Sequence, residues 1–280
     1  MPTIAETIRR ISTTLDLAGS ESAQLDAEIL VRHVLELDRT HLLMALPDPF
    51  PDDKQSALDA LVQRRVLSEP ISLLTGHREF FGLDFVVSPA VLTPRPETEL
   101  LIEWALAWVR GHPGGQVVDV GTGSGAIAIA MAAHTGPEVH LLGTDISPDA
   151  LAVARTNAER LVPGRIEFLE ADLLDTIDGP FDLILANLPY LTPSQLHDRR
   201  ELAFEPELAL VSGDDGLHAI RRLIAQIPDR LQRPGAACLE IDPSQAEEVV
   251  RLLRTTMPGA EVSVQNDLAR RERLVTLVRL

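Results

Sequence analysis

The chain has one cysteine, Cys238, set in the apolar run AACLEI. A single thiol cannot close an internal disulfide and in that setting reads as a small core residue, so a reducing, cytoplasmic home is expected. Long apolar runs are missing as well. Nothing approaches the roughly 18 residues of a membrane span, and the N-terminal MPTIAETIRRISTTLDL mixes charges and hydroxyls into every turn, unlike a signal peptide. Positive charge is scarce: Lys54 is the only lysine, and the formal net charge is -17 over 280 residues. A phosphate backbone is bound through a basic groove that releases counterions, so no stable nucleic-acid binding is expected and a basic protein partner is favoured. Several chemistries fail on pattern. The eight histidines show no H-E-x-x-H or close pairing, and one cysteine excludes a zinc cluster. Thr122 and Ala126 stand where a nucleophile elbow around Ser124 would need glycines, and there is no G-x-x-x-x-G-K-[ST] loop.

The apolar patterning that is present divides the chain. Residues 1–75 read as a small helical domain, with Ile4, Ile8, Ile11 and Leu15 at helical spacing, then Leu25, Ile29, Val34 and Leu37, then Leu58, Leu61, Val62 and Val66. Pro47, Pro49, Pro51 and Pro70 separate these helices. Residues 76–93 change period, and Phe80, Phe81, Phe85, Val86 and Val87 around Gly82 indicate a hairpin linker. From residue 94 to 280 strand and helix alternate, which specifies an α/β domain built on a mostly parallel, doubly wound sheet. Its first helix opens at Pro96, with Leu101, Trp104, Ala105 and Trp108 as the apolar face; Glu97 and Glu99 fall in the first turn, where the helix dipole favours acids without any further role.

Within that domain VVDVGTGSG (117–125) is a strand running into a glycine-rich loop ahead of the helix AIAIAMAA. Gly121, Gly123 and Gly125, with Thr122 and Ser124 between them, allow sharp turns and close approach of a ligand to a helix N-terminus. The loop marks a nucleotide-type cofactor without choosing one; G-x-G-x-x-A keeps NAD open. The next strand ends at Asp145, 24 residues after Gly121, where a ribose-binding acid belongs. Ser147 and Pro148 are the better N-cap and first residue of the following helix, which leaves Asp145 for the ribose. Asp172, beside Leu173, either faces an adenine or shapes a turn.

The run FDLILANLPY (181–190) reads as a buried strand halted at Asn187, Leu188, Pro189 and Tyr190. An amide oxygen, a backbone carbonyl and an aromatic face at a strand's carboxyl end suit a flat group bearing N–H bonds. The same four residues also make an ordinary strand-to-loop turn. The long segment after Tyr190, through Gly216, has little periodicity and is expected over the target site.

Together, Val118 to Gly125 with Asp145, TPRPETE (93–99), Asn187 to Tyr190, and Phe204-Glu205-Pro206 resemble the HemK/PrmC family of S-adenosyl-L-methionine-dependent protein methyltransferases. The similarity runs from DAEIL at Asp26 through EPISLLTG (69–76) to the end. The resemblance implies a seven-stranded Rossmann-like methyltransferase domain behind a helical N-terminal domain for substrate docking and a β-hairpin linker. It implies methylation at N5 of the glutamine in the Gly-Gly-Gln motif of peptide-chain release factors. By position, Gly121 to Gly125, Asp145, Asp172, Leu173 and Asn187 would bind S-adenosyl-L-methionine, and Asn187, Leu188, Pro189 and Tyr190 would hold the glutamine. Leu188 replaces the family's proline, where the role is a backbone carbonyl, and IDPSQ (241–245) departs from the family's usual run. The alternative is a nucleic-acid amino methyltransferase of the adenine N6 type, since an adenine amine is equally flat; a dehydrogenase or a cofactor-binding regulator stands further off.

Overall fold

The protein, as a computed structural model, is described over residues 1–197 and 199–280. It forms two compact units, Met1–His77 and Arg78–Leu280.

The first unit is helical: α1 (Ile4–Leu17), α2 (Ala23–Leu35), α3 (Arg39–Ala45), α4 (Asp52–Val66) and α5 (Ile71–Thr75). Thr3 and Glu6 form a reciprocal capping box that starts α1, and Ile4, Ile8, Ile11 and Leu15 are its buried face. Pro51 and Pro70 immediately precede α4 and α5, positions where a missing N–H costs no helical bond. The expected face of α2 is displaced. Ala23, Ala27, Leu30, Val31 and Val34 are buried there, whereas Leu25 is 56% exposed. Asp26 shares the buried side because it is fully partnered, accepting from the Ser20 and Ser22 hydroxyls and from Arg65 Nε at 2.9 Å.

A hairpin follows, β1 (His77–Phe80) and β2 (Leu83–Val86), all but its first residue in the second unit. Its two central residues, Phe81 and Gly82, both have positive φ (52° and 75°), as a tight turn matched to strand twist requires. Glu99, the second of the two acids in TPRPETE (93–99), accepts the Phe81 N–H at 3.0 Å and ties the turn to the helix that follows. That helix, α6 (Glu99–Gly111), continues a 3-10 turn at Pro96–Thr98. It buries Leu101, Ile102, Ala105 and Val109, while Trp104 and Trp108 flank the core and Trp108 stacks on His112.

The remaining elements are β3 (Gly115–Val120), α7 (Ala126–His134), β4 (Val139–Asp145), α8 (Pro148–Leu161), β5 (Ile166–Glu170), β6 (Phe181–Ala186), α9 (Pro193–His197), α10 (His218–Arg230), β7 (Leu231–Glu240), α11 (Ala246–Thr256), β8 (Glu261–Asn266) and β9 (Glu272–Arg279). They build a seven-stranded sheet of order β5-β4-β3-β6-β7-β9-β8. β9 alone runs antiparallel to both of its neighbours. One apolar core lies under α6, α7 and α8, and a second under α10 and α11, so the central strands are covered on both faces and read as unbroken apolar runs. The strand order reverses at β3 and β6, which pair directly, Val120 opposite Ala186. A crevice forms at that reversal, beyond the carboxyl ends of the strands.

Candidate active site

A single pocket occupies the crevice and is lined by Gly121 to Ser124, Asp145 to Ser147, Ala171 to Leu173, and Asn187 to Pro189. The glycine loop and Asn187, 66 residues apart in sequence, therefore line one pocket. Further lining comes from Ala90, Val91, Leu92, Pro94, Arg95 and Thr98 and from Pro206, Leu208, Ala209 and Val211–Gly213. The aperiodic segment after Tyr190 thus does contribute to the site.

The loop is held by short-range backbone bonds. Gly121 and Thr122 N–H both donate to the Thr144 carbonyl at 2.8 Å, and Gly125 N–H donates to Thr122 O at 2.8 Å. The three glycines have φ of 73°, 55° and 81°, conformations that cost other L-residues about 1–2 kcal/mol. Their uses differ. A Cβ on Gly121 would lie 2.9 Å from Leu188 Cδ2, one on Gly125 2.9 Å from Ile129, and one on Gly123 would meet nothing within 4 Å. Only Gly123 keeps the loop open toward the pocket, while Gly121 and Gly125 make room for packing; Gly125 is not among the lining residues.

Beneath the loop lies Asp119, which the pattern VVDVGTGSG contained without marking. It is fully buried, accepts the Thr122 hydroxyl at 2.6 Å and the Ala128 N–H at 3.2 Å, and its Oδ1 has no partner among the described residues. Burial pushes this carboxyl up to about 7, against the lowering effect of those two donors.

Asp145 is not the cap of α8; Ser147 is, accepting the Ala150 N–H at 3.2 Å. Yet Asp145 is not idle. Its two oxygens accept the Gly123 and Ser147 N–H groups, each at 2.9 Å, so it also clamps the loop. Burial raises its pKa in spite of these donors. Asp172 pairs with Arg222 at 2.9 Å at the rim, a partner from α10 that no local pattern signalled. Leu173, at φ 57°, turns its carbonyl to accept the Thr144 hydroxyl at 3.2 Å.

On the opposite wall, β6 ends at Ala186 and Asn187 turns its Nδ2 to Thr98, donating to Oγ1 at 3.0 Å. With Nδ2 so engaged, the side-chain oxygen is the remaining polar end. Leu188 is buried against Gly121, so its replacement of proline becomes a packing contact between the two walls. Tyr190, expected to offer a stacking face, is not among the lining residues. Its ring packs beside Leu191, Leu202 and Leu210, and its carbonyl accepts from Gln245 Nε2 at 3.0 Å. This gives IDPSQ a structural task. Arg95 reaches Glu205 at 2.6 Å, a carboxylate whose side chain is fully buried, and joins the two outer segments of the wall.

The crevice, its glycine loop and the strand order are those of a methyltransferase, and residues 111–261 match the family described as Methyltransferase domain. Residues 6–76 match PrmC N-terminal domain. The chain is 38% identical to the release factor glutamine methyltransferase of Deinococcus radiodurans over 97% of each chain. It is 40% identical to that of Escherichia coli over 83% of this chain and 84% of the other. Among solved structures, the Thermus thermophilus 16S rRNA N2 G1207 methyltransferase, in complex with AdoMet and guanosine, superposes with a TM-score of 0.53 at 16% identity, covering 73% of this chain and 50% of the other. The chain belongs to the release factor glutamine methyltransferase family. Among the described residues no helix is long and apolar enough to cross a membrane.

Proposed function

We propose that the protein transfers a methyl group from S-adenosyl-L-methionine to the side-chain amide nitrogen of the glutamine in the Gly-Gly-Gln motif of peptide-chain release factors, in the cytoplasm. The residues present suit that cofactor. Gly123 leaves space at the loop, the Asp145 carboxylate has lone pairs beyond its two backbone donors for ribose hydroxyls, and Ile146 and Leu173 offer apolar surface for a flat base. When bound, S-adenosyl-L-methionine supplies a sulfonium methyl group to an incoming nucleophile.

The chain's own task is to make a carboxamide nitrogen reactive, although its lone pair is delocalised. The Asn187 side-chain oxygen and the Leu188 carbonyl accept the two N–H bonds of the glutamine amide, aiming the nitrogen and making it more electron-rich. Positioning and electrostatics of this kind substitute for a strong base, and the nitrogen sheds its proton readily once alkylated. Pro189 and Tyr190 complete the segment that holds the glutamine, and the N-terminal helical unit is assigned to substrate docking.

One observation carries the reading: Asn187 stands on the wall of the glycine-loop pocket with its amide nitrogen donating to Thr98. Mass spectrometry of the release factor's Gly-Gly-Gln peptide, after incubation with enzyme and S-adenosyl-L-methionine, is expected to show one added methyl on the glutamine. Label appearing only in nucleic acid would overturn the assignment.

A further inference from the structure

Glu240 is a buried acid for which neither the fold nor the reaction so far has required anything. It ends β7, and because Ala186 pairs with Leu239 across the β6–β7 ladder, Glu240 comes level with Asn187. Its side chain is fully buried and its Oε2 has no partner among the described residues. The two cations near it are engaged elsewhere, Arg95 with Glu205 at 2.6 Å and Arg273 with Asp267 at 3.0 Å. What Glu240 does have is Thr98, whose hydroxyl donates to its carboxylate.

Thr98 is equally unusual. It stands where the 3-10 turn passes into α6, a position at which threonine ordinarily caps, yet its side chain makes no cap hydrogen bond. The hydroxyl instead lies between two partners, accepting from Asn187 Nδ2 and donating to Glu240.

Counting donors shows what this arrangement enforces. An ionised carboxylate only accepts, and a hydroxyl has one proton to give. While Glu240 is ionised, the Thr98 proton must point to it, so Thr98 can only accept from Asn187. The Asn187 NH2 is thereby held inward and its oxygen outward. A protonated Glu240 can donate to Thr98 instead, freeing the hydroxyl proton for the Asn187 oxygen. The amide can then reverse, presenting NH2 to an incoming NH2.

We propose that Glu240, acting through Thr98, is a positioning residue that fixes which end of the Asn187 amide faces the substrate, so that the ionised form is the one competent for transfer. This rests on the reading of Asn187 as the clamp for the glutamine amide. Burial and the nearby Glu97 push the Glu240 carboxyl up, to about 7, against the Thr98 hydrogen bond and the charges of Arg273 and Arg95. Tyr190 and Cys238 also face it, and burial drives both of those groups far above neutrality, so neither titrates in the same range.

The test is kcat for the full-length enzyme at saturating S-adenosyl-L-methionine and unmethylated release factor, from pH 6 to 8. The wild type is expected to gain about tenfold, as one group titrating near pH 7 dictates. Glu240→Gln and Thr98→Val should be slower at pH 8 by about tenfold and flat with pH, and Thr98→Ser should recover most of the rate lost in Thr98→Val. Calorimetric affinity for S-adenosyl-L-methionine should stay within a few-fold throughout, and if Glu240→Gln does not fold, the two Thr98 variants decide alone. A wild-type slope surviving in these variants would belong to another group such as Asp119 and would overturn the relay. Asn187→Ala, run alongside, separates the two claims. If it is inactive while Glu240→Gln and Thr98→Val behave as wild type, only the relay fails; if it turns over normally, the clamp itself fails.

Discussion

The two walls of the pocket are held by different means. The glycine-loop wall is secured by neighbours: Thr122 bonds to Asp119, Gly123 to Asp145 and Gly121 to Thr144, all within about one βαβ unit. The Asn187 wall is secured from afar, by Thr98 at 89 positions' distance. Its outer part is fastened by Arg95 and Glu205, 110 positions apart. A wall built from bonds between near neighbours in the chain is set by local sequence, its glycines and the two acids Asp119 and Asp145 that hold them. One built from remote side chains should fail one residue at a time.

The largest expected break is at the remote wall. Asn187→Ala should lower kcat by about a thousandfold, about 4 kcal/mol, as for removal of a contact made chiefly in the transition state. Affinity for S-adenosyl-L-methionine should stay within about tenfold, measured by calorimetry. Arg95→Ala strips the counterion from a fully buried Glu205 carboxylate and should cost about 3 kcal/mol of stability, read from urea unfolding. Gly121→Ala tests the seam between the walls. Its Cβ would press on Leu188 at 2.9 Å at a φ of 73°, costing about 2 kcal/mol and depressing cofactor affinity and kcat together. Asp145→Ala should weaken cofactor binding about tenfold, about 1.4 kcal/mol, with a smaller effect on kcat at saturation.

A further effect joins the two walls through pH. Asp119 and Glu240 titrate at about 7 in the fold, against ordinary values of 3.8 and 4.5. Between those limits the unfolded chain binds fewer protons than the folded one, so stability is full below about pH 4 and falls as pH rises through 7. Melting temperature should therefore decline from pH 5 to 7.5, and Asp119→Asn and Glu240→Gln should each flatten the decline. In the wild type, turnover and stability would move in opposite directions across the same range, as expected when a buried acid is kept for function.

Legibility followed the same division. VVDVGTGSG, the acid ending the next strand, and the Ser147-Pro148 helix start are local patterns, and each element stands where its pattern put it. The apolar run before Asn187 is likewise a central strand. The face of α2 was misplaced because Leu25 and Ile29 fit a helical period as well as Ala27 and Leu30 do. The inward side is the one that packs with α1 and α4 and carries the ion pair from Arg65 to Asp26. Tyr190 has the composition of a stacking platform, and its carbonyl is held by Gln245 from a turn 55 positions away, a contact no local pattern signals. Nothing around Thr98 or Glu240 in the chain announces that they meet.

Periodicity and turn chemistry act over a few residues, so residue order alone was enough to specify alternating strands and helices, the cofactor loop and the residue that ends β6. The direction in which Asn187 points is of another kind. It depends on a hydroxyl and a carboxylate that become neighbours only when β7 pairs with β6 and α6 packs against the sheet. Contacts between distant segments are set by how whole elements pack, and no short stretch of chain encodes them.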